Sequence, residues 1–384
     1  MKKVLIFTTA IALLRLGYAT IQSGQHQAKE PYPGQLIYQP PNQYPLDPIS
    51  IASDHNHQSP STSPPHTSHD SPPTGPSHPT TPSSPNTSPS FHLGTTGTHW
   101  GIVYFPYTPD SLCAPALSIR SDIASIARKG FRSIRLHSTD CFALQKVGSA
   151  ARLHNLRLIQ GIHVDESGDL ELLAQQIREL VSWAEEDPHN WELIELVVLG
   201  EELLTSHIMS PARLADLLIS VRNTLREAGY QGPVTTTDAL ATLQKHAATL
   251  CPVLDVPASN IHPFFHASVP PSLAGTYVST ALDELDNLCE EHVRRGIRGV
   301  NLETGWPRSG KANGLAVPGR VEQMDAIEGI KELAGARSVF LGWGDDVWKE
   351  EGELGVESAW GAGHLFGRED EVNEEGREGV RDEV

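Results

Sequence analysis

The sequence predicts an α/β fold, a (β/α)8 TIM barrel preceded by a disordered Ser/Thr/Pro-rich arm, on three observations. At Thr98 the texture changes from a tract of Pro, Ser, Thr, His and Gln to an alternation of apolar runs and amphipathic stretches. That alternation repeats as strand-then-helix units, eight of them over roughly 250 residues, which is the arithmetic of such a barrel. Two of the runs end in carboxylates, one at Glu201 and Glu202 and the other at Glu303. Strand ends of this kind are where these barrels keep their active sites.

Residues 1–19 begin with Lys2 and Lys3, continue through the apolar run VLIFTTAIALL and reach small residues at Gly17 and Ala19. This is the three-part shape of a signal peptide cleaved after Ala19. The run is too short to span a bilayer and Arg15 interrupts it, so no membrane anchor is expected. Residues 20–97 hold few apolar side chains to offset the entropy of ordering and read as the disordered arm. Its Asn86-Thr87-Ser88 is an N-glycosylation acceptor. Its histidines are irregularly spaced and fit a solvated linker better than a metal site.

The barrel domain is expected over residues 98–366. Strands one to four read as 99–105 (HWGIVYF), 133–137 (SIRLH), 155–163 (NLRLIQGIH) and 195–200 (ELVVLG). The fourth is apolar almost throughout, as a buried parallel strand should be. Strands five to eight read as 233–237 (PVTTT), 253–262 (VLDVPASNIH), 297–303 and 338–343 (SVFLGW). Helices are expected at 121–128, 142–153, 170–183, from Pro211 to the closing Gly229, at 239–249, 277–295 and 320–333. The fourth has the plainest signals: Ser210 caps it, Pro211 opens its first turn and Gly229 closes it. In the last, Val321, Met324, Ile327 and Ile330 are expected to face inward. Past Gly367 the sequence REDEVNEEGREGVRDEV is acidic and reads as a solvated, disordered tail over 367–384.

Forty-seven acidic against 29 basic side chains give a formal charge of −18, which argues against a nucleic-acid partner. Cys113, Cys141, Cys251 and Cys289 form no close C-x-x-C pair and fit an oxidising compartment, with their pairing open. A neutral polymer suits this charge better.

In RGVNLETGWPRSG, Glu303 is followed within three residues by Trp306, a carboxylate beside a flat aromatic surface on which a sugar ring can stack. A carboxylate is the group that attacks or stabilises an oxocarbenium-like anomeric carbon. Strands four and seven can face one another across the barrel mouth. Carboxylates there can lie ~5 Å apart, the separation of a retaining glycosidase.

WGIVYFPY, SIRLHSTDC, LGEELL, SNIHPFF, NLETGWPRSG and VFLGWGDDVWKEEGELGVESAWG occur in this order. Together they resemble glycoside hydrolase family 17, in particular its fungal cell-wall branch of 1,3-β-glucanases and glucanosyltransferases. The resemblance covers about 98–366. It implies a secreted enzyme of the cell wall that hydrolyses or transglycosylates 1,3-β-glucan, with Glu303 as nucleophile and Glu202 as general acid/base. It implies no metal and no organic cofactor, and the expected partner is a β-glucan polysaccharide bound by a monomer. His262, Phe264, Phe265 and Trp306, with Tyr104 and Tyr107 from the first strand, are candidates for binding glucose units, and Arg135 is a candidate for orienting a carboxylate. Glu201 stands where the family has Asn, and His137 where it has Tyr. An ionised Glu cannot donate to a sugar hydroxyl. The alternative is therefore a glucan-binding protein whose site Glu201 has weakened.

Overall fold

The computed structural model describes residues 93–168 and 170–367. The expected signal peptide, nearly all of the arm, and the tail beyond 367 lie outside the described residues. Nine parallel strands make one sheet: β1 (Gly101–Val103), β2 (Ser133–Leu136), β3 (Arg157–Ile162), β4 (Ile194–Leu199), β5 (Val234–Thr235), β6 (Asp238–Ala239), β7 (Ala258–Asn260), β8 (Val300–Thr304) and β9 (Ser338–Phe340). Their order is β5-β4-β3-β2-β1-β9-β8-β7-β6. The ends of this order are two halves of one barrel stave. β5 pairs with β4 and β6 pairs with β7, with only Thr236 and Thr237 between the halves. Those two threonines bridge the seam: Thr236 Oγ1 donates to the Leu199 carbonyl at 2.7 Å, and Thr237 Oγ1 to Asn260 Oδ1 at 2.8 Å. The eight staves of a (β/α)8 barrel result.

Helices α1 (Ala116–Arg128), α2 (Ala143–Leu153), α3 (Leu170–Glu186), α4 (Pro211–Glu227), α5 (Leu240–Leu250), α6 (Ala274–Leu288), α7 (Glu290–Arg294) and α8 (Arg320–Leu333) follow the strands in the chain. The sequence signals of α4 are met in detail. Ser210 accepts a hydrogen bond from the Arg213 N–H, Pro211 sits in the first turn, and Gly229 leaves at φ 101°. Leu214, Leu218, Val221 and Leu225 are buried, each side chain contributing about 1.5–3 kcal/mol.

Two helices depart from expectation. The helix expected over 277–295 is split at Cys289, which has non-helical φ and ψ and is disulfide-bonded to Cys251. α8 has the expected bounds, but Val321 and Met324 are exposed, while Gln323 is fully buried beside Ala326, Ile327 and Ile330. The reason is a hydrogen bond. Gln323 Nε2 donates to the Trp306 carbonyl at 2.8 Å, and satisfying a buried amide this way rotates the helix away from its most apolar phase.

The other disulfide, Cys113–Cys141, joins the segment after β1 to the turn after β2 and so braces the C-terminal rim of the barrel. Among the described residues, no helix is long and apolar enough to cross a membrane.

Candidate active site

Acidic side chains gather where the strands end. β8 carries Glu303, fully buried, and its register places Asn260 of β7 opposite. β2 carries Arg135, which is 1 % exposed. Its Nη1 lies 3.0 Å from Glu303 Oε1 and donates to the Leu302 carbonyl at 2.8 Å. His137 Nε2 stands 2.7 Å from the same Glu303 oxygen, and His262 Nε2 lies 3.5 Å from the other. Burial alone would raise the Glu303 pKa. The Arg135 charge, with the His137 and His262 rings beside the carboxyl, outweighs it and holds this group well below the usual carboxylate range.

Glu202 is placed by a tight turn after β4. Gly200 has φ 67° and Glu202 itself φ 48°, a left-handed conformation that costs a non-glycine residue about 1 kcal/mol or more. Asp238 holds that turn by accepting from the Leu204 and Thr205 N–H groups at 2.8 and 3.2 Å. The Glu202 N–H donates to the Thr237 carbonyl at 3.0 Å. Glu202 is 4 % exposed, and Asn260 Nδ2 donates to its Oε1 at 3.3 Å. Burial first, then the charges of Asp238, Glu201 and Glu303, push its pKa well above the ordinary value. The surroundings of the two carboxyls therefore push in opposite directions, Glu303 toward the ionised form and Glu202 toward the protonated one. This division suits a nucleophile facing an acid.

Glu201 completes the cluster. It is largely buried, forms an ion pair with Arg135 Nη2 and accepts a hydrogen bond from Asn260 Nδ2. Burial raises its pKa against the pull of Arg135. One ligand atom each from His137, Glu201 and Glu303 lie within 4.8 Å of one another, close enough for a cation. The Arg135 guanidinium already contacts both carboxylates, and a metal ion there would compete with it.

The aromatic candidates divide. Trp306 is fully buried, its indole N–H donates to the Val317 carbonyl at 2.9 Å, and its ring packs edge-on against Phe264, also fully buried. Neither offers the stacking face expected of it. The chain leaves β8 at Gly305, and Trp306 turns into the core instead of following Glu303. Tyr104 is 4 % exposed and donates to Asp122 Oδ2 of α1 at 2.8 Å, so it faces the helix layer. The pleat then presents the next residue, Phe105, on the side of the carboxyl cluster, its ring 4.7 Å from that of His137. Tyr107 is half-buried at the rim and donates to Asp140 Oδ2 at 2.9 Å. Phe265, half-buried, lies 6.0 Å from the His262 ring and 5.7 Å from Trp360.

Three aromatic neighbours of the cluster are not singled out by the sequence. Phe105 is one, and Trp348, 5.5 Å from Phe105 and 5.3 Å from Tyr107, is another. Trp360, 5.4 Å from His262, is the third. Trp348 and Trp360 come from the long segment after β9. The available signal is the density of Trp in VFLGWGDDVWKEEGELGVESAWG, which does not say which rings point inward.

Residues 101–361, which include every group of the cluster above, match the family model of the BtgE/BtgC glycoside hydrolase domain. The chain belongs to this family. Its BtgE/BtgC domain is 38% identical over 273 residues to the probable beta-glucosidase btgE of Aspergillus fumigatus, covering 71% of this chain and 46% of that protein. It is 37% identical over 281 residues to the btgE of Aspergillus terreus, covering 73% and 48% respectively. The chain spans about half the length of the curated relatives it matches. Among solved structures, the domain is similar to an active-site mutant of Rhizomucor miehei beta-1,3-glucanosyltransferase in complex with laminaritriose. That likeness has TM-score 0.59 and 16% identity, over 71% of this chain and 96% of the other. An endo-laminarinase from Formosa gives TM-score 0.56 and 15% identity, over 70% and 84%. These likenesses place the BtgE/BtgC domain on the barrel fold that the family 17 resemblance implied.

Proposed function

We propose that this domain is a retaining glycosidase acting on 1,3-β-glucan, by hydrolysis or by transfer to a second glucan, in a secreted protein of the cell wall. The observation that carries the reading is the contrast between two buried carboxyls at the strand ends: Glu303 lies against Arg135, His137 and His262, and Glu202 has other carboxylates around it. Glu303 attacks the anomeric carbon, and the glycosidic C–O bond breaks as Glu202 gives its proton to the departing oxygen. A covalent glycosyl-Glu303 ester results. Glu202, now a carboxylate, takes the proton of an incoming water or sugar hydroxyl, whose oxygen displaces Glu303 and restores both groups. The substrate class is supported by the names of the structural neighbours, a β-1,3-glucanosyltransferase and a laminarinase, and a β-glucosidase activity is named for the btgE relatives.

The ion pair between Glu201 and Arg135 favours an enzyme over a glucan-binding protein with a weakened site. The charge of Glu201 is met by a cation inside the cluster instead of standing unopposed beside Glu202. The test is the anomeric configuration of the first product from laminari-oligosaccharides, followed by proton NMR before mutarotation. The β anomer is expected first, and at high oligosaccharide concentration any transfer appears as products longer than the substrate. Initial release of the α anomer would overturn the double displacement.

A further inference from the structure

We propose that Glu201 is a positioning residue, holding Arg135 against Glu303 with one carboxylate oxygen and Asn260 against Glu202 with the other. The proposal rests on the glycosidase reading and adds to it the device that keeps the two carboxyls in different states. Glu201 Oε2 takes Arg135 Nη2, and the planar guanidinium then aims Nη1 at Glu303 Oε1, 3.0 Å away. Glu201 Oε1 takes Asn260 Nδ2, which is shared with Glu202 Oε1 at 3.3 Å. The amide orientation is set from its other end, because Thr237 Oγ1 donates to Asn260 Oδ1 at 2.8 Å. One side chain thus links the nucleophile's cation to the acid's hydrogen-bond donor. An Asn at this place is one methylene shorter and uncharged, and cannot make the ion pair.

The charges that face each group decide what its removal does. Glu202 faces Asp238 from β6, Glu303 from β8, and Glu201. Glu303 faces Arg135 and His137 from the second stave and its end, and His262 beyond β7. Glu357, after β9, stands near His262 and Glu303. Glu201 itself faces Arg135, Glu303 and His137. Deleting the Glu201 charge removes a like charge beside Glu202, so the proton of Glu202 is lost at lower pH.

The experiment measures kcat/KM for a laminari-oligosaccharide across pH in the full chain, for wild type, Glu201→Gln and Glu201→Asp, with Glu202→Gln and Glu303→Gln in parallel. In Glu201→Gln the basic limb should move to lower pH by about two to three units, the scale of a unit charge a few ångströms away at an effective dielectric near 20. Its kcat should fall more than its KM rises. Glu201→Asp keeps the charge but draws it back from Arg135 and Asn260, so kcat should fall with the basic limb in its wild-type position; if the Gln variant does not fold, a Glu201→Asp enzyme with wild-type kcat and KM would overturn the proposal. A Glu201→Gln profile with both limbs in place, whether at full height or uniformly lowered, would overturn the proposal and leave Glu201 a structural ion pair. Wild-type activity in Glu202→Gln and Glu303→Gln would instead overturn the glycosidase reading, and this proposal with it.

Discussion

Glu303→Gln is expected to lower kcat on laminari-oligosaccharides by roughly 10⁴-fold or more, the scale on which loss of a covalent nucleophile acts. The amide matches the carboxylate in shape but lacks the charge that attacks the anomeric carbon. Glu303 is fully buried, and the neighbouring Glu201 carboxylate is held by Arg135 and Asn260. Binding should survive far better than turnover. Arg135 keeps its ion pair with Glu201, so the cluster retains a partner for its buried cation. Product release measured beside oligosaccharide affinity separates the two effects, and a variant within tenfold of wild-type kcat would be incompatible with Glu303 as nucleophile.

Glu202→Gln should cost roughly 10²–10⁴-fold in kcat/KM on the same oligosaccharides, the usual range for a general acid. The loss should shrink for aryl β-glucosides whose phenol departs without a proton, because the first step then needs no acid. The pH dependence has a definite sign. Glu303, held low, must be ionised, so activity rises as pH climbs through its pKa. Glu202, held high, must be protonated, so activity falls as pH climbs through its own. The wild-type profile is a bell between these limits, and the Glu202→Gln enzyme should lack the basic limb. Equal losses on both substrate types would argue that Glu202 does not donate the leaving-group proton.

The barrel is legible in the sequence because each stave is short, apolar and separated from the next by an amphipathic helix, so the signals are local. Of the split stave, β5 falls within PVTTT, whereas β6 lies just past it, where Ala239 reads as the start of the next helix. Glu202 and Glu303 are legible for the same reason, as carboxylates at the ends of apolar runs. Contacts between distant segments are not. The inward phase of α8 depends on Gln323 meeting the Trp306 carbonyl, and the amide's own polarity argues for the opposite face. Trp306 reads as a sugar platform by its nearness to Glu303 in sequence. The turn at Gly305 sends it instead toward Phe264 and the Val317 carbonyl. Glu201 reads as a third, unopposed negative charge until Arg135, 66 residues away, is found beside it.

A mechanism-based label tests the double displacement most directly. Incubating the protein with a 2-deoxy-2-fluoro-β-glucosyl donor bearing an activated leaving group slows the second step more than the first, so the glycosyl ester accumulates. Peptide mass spectrometry should then find one fluoroglucosyl group on the peptide containing Glu303, formed in step with loss of activity and absent from Glu303→Gln. Stoichiometric labelling of a different carboxylate, or turnover of the donor by an enzyme that is never labelled, would contradict the assignment of Glu303 as the nucleophile.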